Sequence, residues 1–488
     1  MPPHSDPNHS RRWLILGIIA VAQLMVVLDA TIVNIALPSA QQDLGFSNDS
    51  RQWIVTAYAL AFGSLLLLGG RLGDLFGRKW TFIGGLIGFS VASAVGGAAD
   101  SFTVLVASRA AQGVFGAILA PSALGLLATT FTDPAERGKA FGIFGAIAGT
   151  GAAIGLLLGG ILTEILSWRW CLYVNLLFAL PAAIAAFRLL VNQPHPARPR
   201  IDVPGALLSA GGLFALVYGF SNSETHSWGH PITIVMLGAA VVLLGAFFAV
   251  ERRVAHPLLP LRVLADRTRG GAFAGIGIAG IAMFALFLFL TYYMQRTLGF
   301  SPIQTGLGFL PLSAAIIVTA NVVSQRLLPK FGPRPHMVTG MVLGAVAMLT
   351  LTQLGTDSGY ATHVLPALIL MGIGMGNIFP PAFQAATFGV DRADTGVASA
   401  MVNTMQQVGG SIGTALLSSI FASAVTSYAN SHAQSPQLIE TATVHGYTVA
   451  FWIAAAVFAV GAVVVGAIVP SVRPAAAHGA AAEPITAH

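Results

Sequence analysis

The sequence predicts an all-α polytopic membrane protein of fourteen transmembrane helices, built as two parallel six-helix bundles with two helices inserted between them. Three observations carry that expectation: a scarcity of charge, fourteen long apolar runs and an internal repeat. Of the 488 residues, 55% are hydrophobic and 9% charged, against about 25% charged in soluble globular domains. Mean hydropathy is +0.77. An ordinary soluble enzyme is excluded, and so is a disordered chain, which needs low hydrophobicity and high net charge. The one cysteine, Cys171, forbids an intrachain disulfide and any multi-cysteine metal or iron–sulfur site. No cofactor and no metal is expected.

A crossing needs ~20 mostly apolar residues. Spans are predicted over 13–37, 52–70, 80–99, 103–129, 139–163, 170–190, 204–221, 231–250, 271–294, 305–328, 336–354, 361–386, 398–426 and 447–469. Runs this long favour helices over barrel strands, which are about 10 residues and alternate. The first run follows Arg11 and Arg12 but is too long for the apolar stretch of a signal peptide, so it is read as the first span. An even count puts both termini on one side, and Lys and Arg choose the side. Of the 24, all but Arg51, Arg109, Arg169 and Arg296 fall on the side of the termini. Both termini are therefore expected in the cytoplasm. The net charge of +6 is explained without nucleic acid. An excess of Arg over Lys, with abundant Ala and Gly, fits a high-GC bacterium.

The repeat supplies the two bundles. PAERGKAFGIFGAIAGTGAAIG (134–155) aligns without gaps to RADTGVASAMVNTMQQVGGSIG (392–413), and RLGDLFG (71–77) to RLLPKFG (326–332). The two alignments have nearly the same offset, so spans 1–6 and 9–14 read as copies running in the same direction, the arrangement of a rocking transporter. The expected divisions are 1–190 for the first bundle, 191–256 for a linker with spans 7 and 8, 257–470 for the second bundle, and 471–488 for a disordered cytoplasmic tail. Residues 251–270 are expected to lie on the membrane surface.

Four motifs follow. Between spans 2 and 3 stand Gly70, Arg71, Gly73, Asp74, Gly77 and Arg78 within GRLGDLFGRK. Span 1 carries LDATIVNIALP (28–38), span 4 carries RAAQG (109–113), and SWRW (167–170) leads into span 6, with Asn175 following. Together with fourteen spans, these resemble the major facilitator superfamily, in its drug:proton antiporter branch of EmrB/QacA type, over essentially the whole chain to about residue 470. The resemblance implies that the loop motif is a cytoplasmic latch, in which Asp74 accepts from a helix N-terminus or a neighbouring arginine. It implies an antiporter motif in span 5, here Gly151, Gly155, Gly159 and Gly160, with Leu156 where the motif has proline. The residue that would kink that helix is absent.

Ionisable groups inside a membrane are costly and mark functional candidates. Asp29 in span 1 is the leading site for proton and substrate charge, with Arg109 and Gln112, one turn apart in span 4, expected to relay or couple. Each also has a structural reading, as a fixed polar contact. Glu164, near Arg169, is expected to form an interfacial ion pair, with a proton role as the minor reading. Asn34, Met283, Phe284, Phe287, His363, Asn377, Asn403, Gln406 and Gln407 are candidate cavity-lining residues, though helix packing accounts for several of them equally well. GIGIAG (275–280) formally matches a dinucleotide fingerprint, but no strand precedes it and it lies at membrane depth, so small-residue helix packing is the better account. The expected activity is proton-coupled export of lipophilic, cationic or neutral drugs by a monomer in a bacterial cytoplasmic membrane. The rival is a carrier of a physiological solute such as a lipid or siderophore. An intramembrane enzyme or a sensor is disfavoured, since the spans hold no catalytic cluster and the chain no soluble output domain.

Overall fold

The computed structural model describes residues 11–46, 48–191, 202–254, 257–391, 394–432 and 437–471. Most of the 191–203 linker, and the tail beyond Ser471, lie outside them. Among the described residues, fourteen helices are long and apolar enough to cross a membrane, the bent α5 counted as one span: α1 (Arg12–Leu44), α2 (Asn48–Phe76), α3 (Arg78–Gly97), α4 (Phe102–Thr130), α5 (Pro134–Ile165), α6 (Trp170–Leu189), α7 (Val203–Thr225), α8 (Pro231–Glu251), then α9 (Arg267–Thr297), α10 (Ile303–Phe331), α11 (Pro333–Leu351), α12 (Tyr360–Thr387), α13 (Thr395–Ser431) and α14 (Leu438–Ile468).

Every expected span is present, and the differences lie at the ends. Helix α1 runs through Pro38 and stops only at Gly45, whose φ of +67° lets its N–H reach the Gln41 carbonyl at 2.9 Å. Helix α14 starts at Leu438, nine residues before the apolar run. The motif expected as a loop is helical as far as Phe76. Gly77 alone makes the turn into α3, with φ +88°, and its repeat partner Gly332 makes the same turn between α10 and α11 with φ +76°. Residues 251–270 do not simply lie on the surface: Leu258 and Leu259 are fully buried, and a short helix, Leu261–Ala265, leads to α9.

The halves repeat each other's packing. Helix α1 packs on α4, α5 and α6, α2 on α4, and α3 on α4 and α6; α9 packs on α12, α13 and α14, α10 on α12, and α11 on α12 and α14. The halves meet along two seams, α2 with α13 and α5 with α10 and α12. The inserted hairpin covers only one of them: α7 packs on α2 and α13, and α8 on α7. The end of the bundle where α1 begins carries the clustered arginines and is called the basic face below.

Candidate functional site

Asp29 stands midway along α1 and Arg109 in the first half of α4; both are buried. The guanidinium donates to Asp29 Oδ2 at 2.7 Å and to Gln112 Oε1 at 2.8 Å, and its Nε reaches the Ile54 carbonyl at 3.4 Å. Gln112 turns its amide to Asp29 Oδ1 (3.0 Å) and to Ser93 Oγ (2.7 Å). Asn175 of α6 donates to Asp29 Oδ1 at 2.7 Å. The Tyr58 ring covers the guanidinium at 4.4 Å. Two helices, α4 and α6, thus donate to one carboxylate, both of whose oxygens are occupied, and α2 and α3 brace the donors. A buried ion pair survives desolvation only with such additional hydrogen bonds. Sequence reasoning paired Asp29 with Arg109 and Gln112 but gave no role to Asn175, and missed Ser93 and Tyr58. Their signal was weak, since a lone serine or tyrosine in a span is unremarkable.

The span 5 glycines explain how α1 is held beside this knot. A Cβ at Gly155 would strike Thr31 Oγ1 and approach the Leu28 carbonyl (3.1 Å); one at Gly151 would strike Val27, and one at Gly159 would press on the Ile32 carbonyl (3.0 Å). Gly160 is buried in the same stretch. Helix α5 also bends by 48° between Ala135–Gly151 and Ile154–Ile165. The kink survives without the motif proline, centred on the glycine-rich stretch beside α1.

At the basic face, Asp74 Oδ1 accepts from Arg78 (3.1 Å) and from the Gly396 N–H (3.2 Å), the second turn-one amide of α13 in the other half. Gly70 lies against the Gly396 carbonyl, with 2.5 Å left for a Cβ. Gly73 rests near Ser122 and Thr81, and Arg71 is buried beside Asp74. Arg137 of α5 reaches Thr387 of α12 at 2.9 Å, and Phe144 meets Phe383 edge-on at 5.8 Å. Both seams are therefore shut at this face.

Other candidates fall elsewhere. Glu164 is exposed and does not pair with Arg169, which donates instead to Asp43 (3.0 Å) and to the Gly97 and Ala99 carbonyls. Asn377 is buried against His336 (3.3 Å) and the Ile373 carbonyl, and Asn403 against the Ser399 carbonyl. His363 sits at the start of α12 beside Thr362, far from mid-membrane. Phe287 packs on Phe309 at 5.4 Å and Met283 is half-buried against the apolar core. Gln407 fills the space at Gly63 of α2, and the Gln406 carbonyl lies against Gly280 of α9. The side chains of Asn34 and Phe284 lie outside the described residues.

The Major Facilitator Superfamily model matches residues 19–414. The chain belongs to the major facilitator superfamily. It is 50% identical over 469 residues to the puromycin resistance protein pur8 of Streptomyces alboniger, covering 96% of this chain and 93% of that one. It is 38% identical to the cephamycin export protein CmcT of Amycolatopsis lactamdurans, over 82% and 83%. Among solved structures it is similar to the proton:xylose symporter XylE (TM-score 0.66, 14% identity, 95% of this chain and 97% of that one) and to the human organic anion transporter MFSD10 (0.64, 15%, 95% and 100%). At those identities the likeness speaks for the fold alone. As a facilitator-superfamily protein the chain is a multi-pass membrane transporter and not an enzyme.

Proposed function

We propose that this transporter exports lipophilic, cationic or neutral antimicrobial compounds across a bacterial cytoplasmic membrane in exchange for protons, as a monomer with both termini in the cytoplasm. The observation that carries the reading is the Asp29–Arg109 pair, 2.7 Å long and wholly buried between α1 and α4, in a chain half identical to a puromycin resistance protein. A straight span 5, without the motif proline, would have favoured the rival carrier; the 48° bend of α5 supports the exporter reading instead.

On this reading the basic face is cytoplasmic and the conformation is closed to the cytoplasm. Asp29 is already neutralised by Arg109 and enclosed, so a drug cation gains nothing from it in this state. A proton on Asp29 would cancel one partner and leave the guanidinium buried without a counter-charge, a state that costs several kcal/mol unless the helices move. The pair is therefore a two-state element: the proton acts on the α1–α4 contact, while apolar walls between the halves take the drug. Proton and drug compete through the conformation that each favours, not for one oxygen.

The test is acid-driven drug movement in everted membrane vesicles, with puromycin and a panel of fluorescent cations, comparing wild type with Asp29→Asn at matched expression. Proton-driven movement in the wild type and none in the variant is the expected result. Equal transport by both would make Asp29 structural. No movement of any compound by the wild type would bring the physiological-solute carrier forward.

A further inference from the structure

The α7–α8 hairpin holds two buried acids that the transport mechanism does not use. Asp202 caps α7, its Oδ1 accepting from the Gly205 N–H at 3.0 Å. Glu251 ends α8 and reaches back over the chain that follows: Oε1 accepts from the Leu258 N–H at 3.2 Å and Oε2 from the Leu259 N–H at 3.0 Å. Both residues are more than nine-tenths buried. The remaining oxygen, Asp202 Oδ2, is buried and receives no donor among the described residues. It shares a small buried space with Glu251 Oε1, both standing within 2.6 Å of the position a Cβ would take on Gly205. Gly205 makes the room: a Cβ there would strike Asp202 Oδ2 and stand 2.6 Å from Glu251 Oε1.

Two ionised carboxylates cannot share such a space, because both only accept and their charges repel. We infer that Asp202 and Glu251 form a proton-binding site, in which one shared proton closes a clamp on Leu258 and Leu259, the segment leading into α9. No cation among the described residues stands in for that proton. Arg252 and Arg253 at the end of α8 are exposed. Arg262, on the short helix beyond the clamp, is committed to Asp394 at 2.6 Å. Arg71 on α2 and Arg78 at the start of α3 attend Asp74. The clamp lies one step from the basic-face latch, since Asp394 stands two residues before Gly396, the donor to Asp74. Loss of the proton sets the two carboxylates against each other and loosens the segment that carries Arg262. The inference stands whatever compound the protein moves.

Hydrogen exchange at Leu258 and Leu259 in the purified full-length protein tests it, read across pH and corrected for the intrinsic exchange rate. If the closed clamp holds one proton more than the open one, the opening constant rises about tenfold per pH unit above the ordinary carboxylate range. In Asp202→Asn an amide N–H replaces the proton while Oδ1 still caps Gly205, so opening becomes independent of pH. A flat wild-type profile overturns the proposal without any variant. An equal slope in Asp202→Asn overturns it as well, since some other group would then be titrating.

Discussion

Helices α5 and α13 are counterparts in the repeat, and each crosses to the second helix of the opposite half. At both crossings a matched glycine lets backbones touch: Gly396 lies on the Gly70 carbonyl, and Gly138 on the Ser324 carbonyl. The charge is arranged differently. Asp133 caps its own helix through the Ala135 and Glu136 N–H groups, both at 3.0 Å. Asp394, the N-cap residue of α13, makes no cap bond; Arg262 holds it instead. The Gly396 N–H is thus left for Asp74, across the seam. The position aligned with Asp74 in the second half is Pro329. One seam is closed by a helix cap lent from the other half, and the second by close backbone packing and the Arg137–Thr387 hydrogen bond. The interior shows the same asymmetry. Gly155 meets the Leu28 carbonyl, with Asp29 the next residue, whereas its partner Gly413 meets the Ile281 carbonyl, with the buried Ala282 next. Duplication kept the packing, and buried charge gathered in the first half.

The largest expected effect breaks that interior contrast. Arg109→Leu strips Asp29 of its counter-charge and is expected to cost about 3–5 kcal/mol. Asn377→Leu removes the partner of His336 in the second half, a neutral contact, and is expected to cost about 1 kcal/mol. Thermal unfolding of the purified proteins compares them. Equal losses would mean that the Asp29–Arg109 pair is no more than one polar contact among many.

How far the sequence reached follows from the same asymmetry. Fourteen apolar runs and two matched turn glycines were enough for the helices and their repeat, because burial of backbone in lipid admits few alternatives. The Asp29–Arg109–Gln112 set was legible because ionisable groups at that depth are rare. Asn175, Ser93 and Tyr58 were not, since uncharged polar residues occur in spans for many reasons and only the fold brings them into one network around the Asp29–Arg109 pair. Asn377 and Asn403 are ambiguous for that reason too: each is open to either reading, cavity lining or helix packing, and each is bonded by its own helix or a neighbour. The bend of α5 was missed because it was sought in a proline, whereas glycines pressed against α1 accompany it.

The next effect probes what the seams share. A valine at Gly396 would drive its side chain into the Gly70 carbonyl, and one at Gly138 into the Ser324 carbonyl at 2.5 Å. Backbone atoms cannot swing aside, so overpacking of about 1–3 kcal/mol falls on the state with the basic face closed. Both Gly396→Val and Gly138→Val are expected to fold, to hold that face open and to cut transport about tenfold or more, by 1.4 kcal/mol per decade. Labelling of Ser399→Cys, a buried α13 position 3.8 Å from the Cβ site of Gly125 on α4, reports the opening. Protection retained in either variant would mean that its seam is not a closing surface.

The smallest effect isolates the borrowed cap. Asp74→Asn keeps the shape but weakens a charge-assisted bond to the Gly396 N–H, for about 1 kcal/mol against the closed state. Asp133→Ala removes a cap of similar worth, about 1 kcal/mol, but from within one half, so it lowers overall stability and leaves the balance of open and closed states where it was. Thermal midpoints should therefore fall in Asp133→Ala, while Ser399→Cys labelling should rise about fivefold in Asp74→Asn alone. The distinction is one of address. A cap formed within a helix is present in both conformations and cancels from their difference, whereas a cap given across a seam exists only when that seam is shut. If Asp133→Ala exposed Ser399→Cys as strongly as Asp74→Asn, the cap at α5 would also be felt across the interface, and the two seams would have to be treated as one coupled gate.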